Sequence, residues 1–327
     1  MVECIVMPIL VKRGLPAYSI LKKENVFVMH DWRAAKQDIR PLSIAIVNLM
    51  PIKEVTETQL IRLLANSPLQ VELELLTLSS HRFTHVDPLH METFYRKFEE
   101  IKKQRLDAMI ITGAPLDNIA FEDVDYWTEL KEIMDYTKEN VFSTIHLCWA
   151  AQAALYYHYG IEKRVMDEKV FGVYKHKSHD KKNVLMRGFD EEFYVPHSRW
   201  SESPRESIEA CPELKILADS PDAGVHMVAT SNKRQIFMQG HPEYDWDTLK
   251  FEYERDVASK KNMNIPINYF KDDDPNKRVT VRWSGHANLF FSNWLNFVYQ
   301  ETPYNLSDLK PNRVRRIVRM VKQKIGR

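Results

Sequence analysis

The chain has 327 residues, enough to bury a full hydrophobic core, and its 46 basic and 45 acidic residues nearly cancel, so no overall field draws it to nucleic acid or a membrane. Three widely spaced cysteines (Cys4, Cys148, Cys211) make no disulfide framework and fit a reducing cytoplasm. No apolar run is long enough to cross a bilayer, the N-terminal one is too brief for a signal peptide, and neither GxGxxG nor GxxxxGK[ST] occurs to cradle a phosphate.

In chain order, residues 41–49 (PLSIAIVNL) predict a strand ending at Asn48-Leu49-Met50-Pro51, and a helix follows over 54–65 with Leu60, Ile61, Leu63 and Leu64 on its apolar face. Residues 71–78 alternate in part, as an edge or one-sided strand would. A helix is expected over 89–105, a strand over 107–112 closing on Gly113-Ala114-Pro115, and a helix over 124–138. Val141–Leu147 reads as a buried strand and Trp149–Tyr157 as a helix, with no loop between them. After Gly160 the signals weaken to short strands at 169–174, 183–186 and 193–196, then two clearer ones at 225–230 and 235–239. Helices are expected over 245–258 and 288–299, separated by the Pro- and Asp-rich loop 265–277. This rhythm means an α/β fold: a mostly parallel sheet with helices on both faces, an inserted irregular β segment and C-terminal helices. Ligands of such a sheet bind beyond the carboxyl ends of its strands. With no repeat and no low-complexity linker, one domain carrying a long insertion is expected. Residues 312–327 (NRVRRIVRMVKQKIGR) hold seven basic and no acidic residues, with apolar residues at helical spacing, and predict a basic amphipathic extension.

Two stretches carry the chemistry. Cys148 falls where strand turns sharply into helix, an elbow that holds a side chain clear of the sheet beside the N–H groups that open the helix. Those groups and the helix dipole favour a thiolate, the nucleophilic form; the plainer role for an isolated Cys is a small buried apolar residue. The second stretch is Met238-Gln239-Gly240-His241-Pro242-Glu243. In extended chain, residues i and i+2 share a side, so His241 and Glu243 can approach one target together. His241 can take the thiol proton while Glu243 orients the ring, which makes Cys148, His241 and Glu243 a candidate catalytic triad. His81, His85 and His90, and His176 with His179, lack paired ligands at zinc spacing, so no metal is expected.

Beyond these motifs, the chain resembles the homoserine O-acyltransferases of methionine biosynthesis that have a flavodoxin-like, class I glutamine-amidotransferase-like fold. The matching stretches are ENVFVM at 24–29, DIRPLSIAIVNLMP at 38–51, ETQLIRLLANSPLQV at 57–71, TGAPLD at 112–117, CWAAQAALYYHYGI, RGFDEEFYVPHSR, GHPEYD and NWLNFVYQETPY. They cover about residues 7–309, leaving 1–6 as an overhang and 310–327 as the extension. The resemblance implies that Cys148 is acylated by acyl-CoA, acetyl-CoA or succinyl-CoA, as a co-substrate with no further cofactor, and that L-homoserine then attacks the thioester. It implies Lys169, Ser198 and Arg255 at the amino-acid substrate, and an oxyanion hole from Trp149 and the Met50–Lys53 turn. The family usually has two adjacent lysines in that turn, where this chain has Ile52-Lys53. It further implies a cytoplasmic homodimer.

The resemblance also puts the choice of acyl donor on Asp117, where succinyl-CoA users have Gly and acetyl-CoA users Glu. Asp keeps the negative charge, so acetyl-CoA is expected. A glutamine-amidotransferase-like hydrolase would share Cys, His and Glu but needs a synthetase partner for its ammonia, and a silent scaffold would keep the fold alone.

Overall fold

The computed structural model describes residues 9–12, 14–24, 28–30, 40–81, 86–259 and 264–312. The overhang 1–6, His85 and most of the basic extension (313–327) lie outside the described residues. The strands are β1 (Ile9–Val11), β2 (Val28–His30), β3 (Leu42–Val47), β4 (Val71–Thr77), β5 (Tyr95–Lys97), β6 (Leu106–Ile111), β7 (Val141–Leu147), β8 (Arg164–Ser178), β9 (Glu192–Glu202), β10 (Leu214–Ser220), β11 (Gly224–Thr230) and β12 (Gln235–Met238). The helices are α1 (Pro16–Lys23), α2 (Lys53–Ala65), α3 (Pro88–Phe94), α4 (Phe98–Ile101), α5 (Trp127–Asn140), α6 (Trp149–Tyr159), α7 (Arg205–Glu209), α8 (Thr248–Ala258) and α9 (Ser284–Glu301).

All these strands join one sheet in the order β2-β1-β4-β3-β6-β7-β12-β11-β10-β8-β9, with β5 beside β4. From β2 to β12 the pairings are parallel; from β12 to β9 they are antiparallel. β6 and β7 are buried along their whole length and β3 at all but Ser43, most of their residues being apolar, while Glu72 of β4 is exposed. Ile44, Ile46, Ala108 and Ile110 point to one face, packed under α1, α2 and α9. Ala45, Val47, Met109 and Ile111 point to the other, under α4, α5 and α6. Each such Ile or Val side chain contributes about 1.5–3 kcal/mol relative to exposure. The expected architecture, a mostly parallel sheet with helices on both faces, is the one observed.

Several local expectations are corrected. The single helix over 89–105 is two short helices split by β5, because Tyr95–Lys97 pairs with Leu75–Thr77 of β4 instead of continuing the helix. β4 is not an edge strand: β1 and β3 flank it. The short strands at 169–174 and 193–196 are the middle of one long hairpin, β8–β9, paired from Arg164↔Glu202 to Lys177↔Glu192. Residues 183–186 hold no strand but a 3-10 turn, Val184–Met186, opened by the Asn183 side chain accepting from Leu185 N at 3.1 Å. β1, β2 and β10 were not anticipated.

Candidate active site

Cys148 occupies the elbow between β7 and α6 with φ 49° and ψ −116°, a conformation L side chains rarely adopt. The elbow is held from the next strand, since Cys148 N donates to Met238 O at 2.6 Å. Its carbonyl accepts from Ala151 N (3.0 Å) and Gln152 N (3.2 Å), starting the helix. Gly113, after β6, makes room: a Cβ there would lie 3.1 Å from Cys148 Cβ and 3.5 Å from Trp149 N.

Met238 ends β12, and three residues later comes His241, so nucleophile and base leave neighbouring strand ends. His241 N donates to Pro196 O of β9 at 2.8 Å, and its ring stacks on Tyr244 with centroids 4.1 Å apart. Nδ1 donates to Glu243 Oε1 at 2.7 Å, and the ring lines one cleft with Cys148. Burial disfavours the imidazolium, but the opposing charges of Cys148 and Glu243, with the hydrogen bond to Glu243, outweigh it and hold His241 well above the ordinary imidazole value. All three side chains are buried. The sequence-based trio therefore meets at one cleft, with the imidazole hydrogen-bonded to the carboxylate and Cys148 lining the same space.

A cleft of about 420 Å³ opens over Cys148 and His241, lined also by Asp117, Lys169, Ser198, Glu252, Arg255 and Asp256. Lys169 Nζ lies 3.7 Å from both Glu252 Oε2 and Asp256 Oδ2, and 4.0 Å over the Phe171 ring. Ser198 Oγ donates to Glu252 Oε2, whose other oxygen accepts from Tyr244 OH at 2.9 Å. Arg255 is largely exposed and donates to Asp256 at 3.0 Å. Glu252 and Asp256 were missed in the sequence. Their signal was present, because residues 252, 255 and 256 share one face of α8.

Asp117 also lines the cleft, and its Oδ1 accepts from Trp200 N (3.0 Å) and Ser201 Oγ (2.8 Å). Trp149 is buried against Phe121 and Tyr126, leaving its backbone N–H facing Gly113. Lys53 belongs to the turn expected at the oxyanion hole. Its side chain is buried and lines no part of the cleft; its ammonium donates to Asn48 O, and burial, opposed by Glu57, lowers its pKa to about 7. Lys53 braces the turn whose Met50 and Pro51 do line the cleft, while Ile52 beside it is exposed.

Behind the base lies a polar layer that the sequence did not announce. Arg199 is fully buried, and among the described residues no carboxylate closes an ion pair on it. It donates to Ser201 O (2.8 Å), to Ala223 O and to His197 Nδ1 (3.4 Å). His197 Nε2 then donates to His176 Nε2 (3.1 Å), and His176 Nδ1 to Tyr174 O (3.0 Å), which fixes both rings as neutral tautomers. His226 Nδ1 accepts from Gly240 N at 3.3 Å.

The profile of a family described as homoserine O-succinyltransferase matches residues 8–304. The chain belongs to the homoserine O-succinyltransferase family. It is therefore an acyltransferase, as the matching stretches implied. Members of this family similar to it include homoserine O-acetyltransferases from Petrotoga mobilis, 53% identical over 93% of this chain and 98% of that protein, and Ilyobacter polytropus, 55% identical over 92% and 100%. A glutamine amidotransferase from Thermotoga maritima shares the homoserine O-succinyltransferase fold seen here. It has a TM-score of 0.50 at 12% identity, covering 80% of this chain and 99% of that one.

Proposed function

We propose that this chain moves an acetyl group from acetyl-CoA to the hydroxyl of L-homoserine through a thioester on Cys148, the first committed step toward methionine. The observation that carries it is the His241 ring, hydrogen-bonded to Glu243 at 2.7 Å and lining one cleft with Cys148, whose charge raises the ring's pKa. Cys148 sulfur attacks the donor's carbonyl as its proton passes to His241. The carbon–sulfur bond to CoA breaks, and the departing thiolate takes that proton. Homoserine's hydroxyl then gives its proton to His241 and attacks the acyl-enzyme, releasing the O-acyl ester and free Cys148. Glu243 stabilises the imidazolium in both halves.

The oxyanion would face Trp149 N–H, in the space that Gly113 leaves by lacking a Cβ, with the turn braced by Lys53 nearby. Arg255 and Lys169 suit the amino acid's carboxylate. Glu252 and Asp256 suit its ammonium, and Ser198 sits between. No metal or further cofactor is required by this scheme. We place the enzyme in the cytoplasm as a homodimer, on the family resemblance.

The family name says succinyl, whereas the relatives named above are acetyltransferases. Asp117 supports acetyl. A carboxylate about 5 Å from a succinyl carboxylate, at an effective dielectric near 20, costs roughly 3 kcal/mol, about a hundredfold. Initial rates with both CoA esters against homoserine and serine test the reading, together with the mass of the Cys148 peptide after acetyl-CoA alone. No acetyl on that peptide sinks it. Asp117→Gly should raise the succinyl-to-acetyl ratio of kcat/KM by up to about a hundredfold. An unchanged ratio removes Asp117 from donor choice.

A further inference from the structure

The chemistry above uses the cleft over β7, but a second hollow of about 350 Å³ adjoins it and is left unclaimed. It lies over the ends of β3 and β6: Leu49 and Pro51 follow β3, and Ala114, Leu116, Val124 and Tyr126 follow β6. This is where the winding of the sheet reverses. From β3 the chain moves to β4 on one side, then crosses back to β6 on the other. Connections diverge at such a reversal and leave a crevice beyond the strand ends, where elongated ligands bind. The two hollows share Pro51, Ala114, Pro115, Leu116 and Ile119, so a single loop separates the crevice from Cys148.

We propose that this crevice binds the pantetheine arm of the acyl-CoA donor, laid across the 114–119 loop with its thioester at Cys148. The assignment rests on the acyltransferase reading above and names the place of its first substrate. The chemistry of the two sides divides the substrates between them. Beyond Cys148 on the β8–β9 side stand Lys169, Glu252, Arg255 and Asp256, charged groups suited to an amino acid. On the β3–β6 side the walls are Leu49, Leu116, Val124 and Tyr126, suited to an uncharged chain. The polar groups of the crevice are His81, paired with Asp125 at 2.6 Å, and Asp123. Carboxylates accept from the amide N–H groups of pantetheine and repel phosphate. The crevice therefore takes the arm and leaves the nucleotide end outside.

Donor truncation tests this on the full chain. Initial rates with acetyl-CoA, S-acetylpantetheine and S-acetylethanethiol are compared at saturating homoserine. S-Acetylpantetheine should keep kcat/KM within about tenfold of acetyl-CoA, and the ethanethiol ester should fall by about a hundredfold or more, since binding energy from the remote arm is used at the reacting carbon. An ethanethiol ester as good as acetyl-CoA overturns the proposal. So does a collapse already at S-acetylpantetheine, which would put recognition on the nucleotide. Val124→Phe narrows the crevice without reaching the cleft. It should raise KM for acetyl-CoA about tenfold while leaving KM for homoserine and the ethanethiol-ester rate in place. A rise in homoserine KM instead overturns the assignment. Asp123→Trp, at an exposed position that lines the crevice and not the cleft, repeats the test should Val124→Phe fail to fold. If no thioester acetylates homoserine and Cys148 stays unmodified, the acyltransferase reading itself fails, and this site with it.

Discussion

The two halves of the sheet place their contributions to the site by different means. In the parallel half, β3 and β6 are packed mostly by aliphatic side chains, β7 adds buried Ser143, Thr144 and His146, and the functional groups sit in backbone turns at the strand ends. The antiparallel half packs its interior around polar groups instead: Arg199, His176, His197 and His226 lie beneath the loop that carries His241. Even their buried charges differ. Buried Asp107 in the parallel half is answered by Arg40 through two bonds of 2.8 and 2.9 Å, while Arg199 is answered by carbonyls, an imidazole and the Met166 sulfur. A nucleophile can be fixed by one strained residue between two regular elements. A base on a loop needs a shaped bed, and a polar bed is selective because each of its members must be satisfied.

Acid should expose the difference most. His146 on β7 and His176, His197 and His226 in the antiparallel half are held below the ordinary imidazole value chiefly by burial, His146 to about 4, His176 to about 3 and the other two well below 6.5. Between those values and 6.5 the unfolded chain binds more protons than the folded one, so stability falls as pH drops through that window and returns as pH rises to 6.5. From pH 7 to pH 5.5 each contributes a loss of roughly 1 kcal/mol or a little more, the four together about 5 kcal/mol. His241 runs the other way. Its raised folded value gives stability that is fully present below 6.5 and lost at higher pH, so it adds nothing to the acid slope. Urea unfolding at pH 7 and 5.5 measures the sum, and a flat result would show that the histidine layer is not dry.

Removing the unpaired cation comes next. Arg199→Ala leaves Ala223 O and His197 Nδ1 without this donor, Ser201 O still being held by Gln152 Nε2, and with the cavity it opens should cost about 3–5 kcal/mol. Arg199→Met keeps the volume and should cost less. If both variants melt with the native protein, the layer is not what holds the antiparallel half.

Two glycines compare the halves directly. A Cβ on Gly240 would lie 2.7 Å from His197 Nε2 and 2.8 Å from Val195 Cγ1, whereas one on Gly113 meets Cys148 Cβ at 3.1 Å. Gly240→Ala should destabilise by about 1–3 kcal/mol and cut kcat about a hundredfold by moving His241. Gly113→Ala should barely change unfolding yet lower kcat, because its methyl group intrudes on the elbow and not on the core. Equal melting losses would erase the distinction.

Legibility followed the same division. The strands over 42–47, 106–111 and 141–147 and the helices that follow the first two, α2 and α5, declared themselves through apolar runs and 3.6-residue spacing, because hydrophobic burial alone positions them. The elbow at Cys148 was readable from the absence of a loop, and the His241–Glu243 pairing from their two-residue spacing after a strand. β8, β9 and β10 were not readable in full, since their inward residues include His176, His197, Arg199 and Ser201, which read as surface until their partners are known. The split at Tyr95–Lys97 was hidden for another reason. Pairing with β4 overrode a helical pattern, and tertiary context routinely does so over short stretches. Lys53 shows the limit of carrying a role by position: the residue is where the motif puts it, with its side chain turned into the protein.

The seam between the halves carries the smallest effect. Lys163, just before β8, reaches across to the β6 side, where its ammonium donates to Leu116 O (3.1 Å), Asp117 O (2.6 Å) and Ile119 O (2.7 Å) above the Phe121 ring. Burial lowers its pKa against the attraction of Asp117. Lys163→Met keeps the stem and loses the three bonds, but the loop is partly exposed and water can replace them, so stability should fall by only about 1 kcal/mol. The kinetic effect should be larger in proportion. A loosened 116–119 loop moves both the wall of the proposed pantetheine crevice and the carbonyl of Asp117. KM for acetyl-CoA should rise a few-fold, by about 1 kcal/mol of lost preorganisation, while KM for homoserine stays. Lys163→Arg should restore part of that rise. Should only the melting temperature move, the loop is held by the bonds of Asp117 to Trp200 and Ser201, and the antiparallel half positions the donor side through β9 instead of through Lys163.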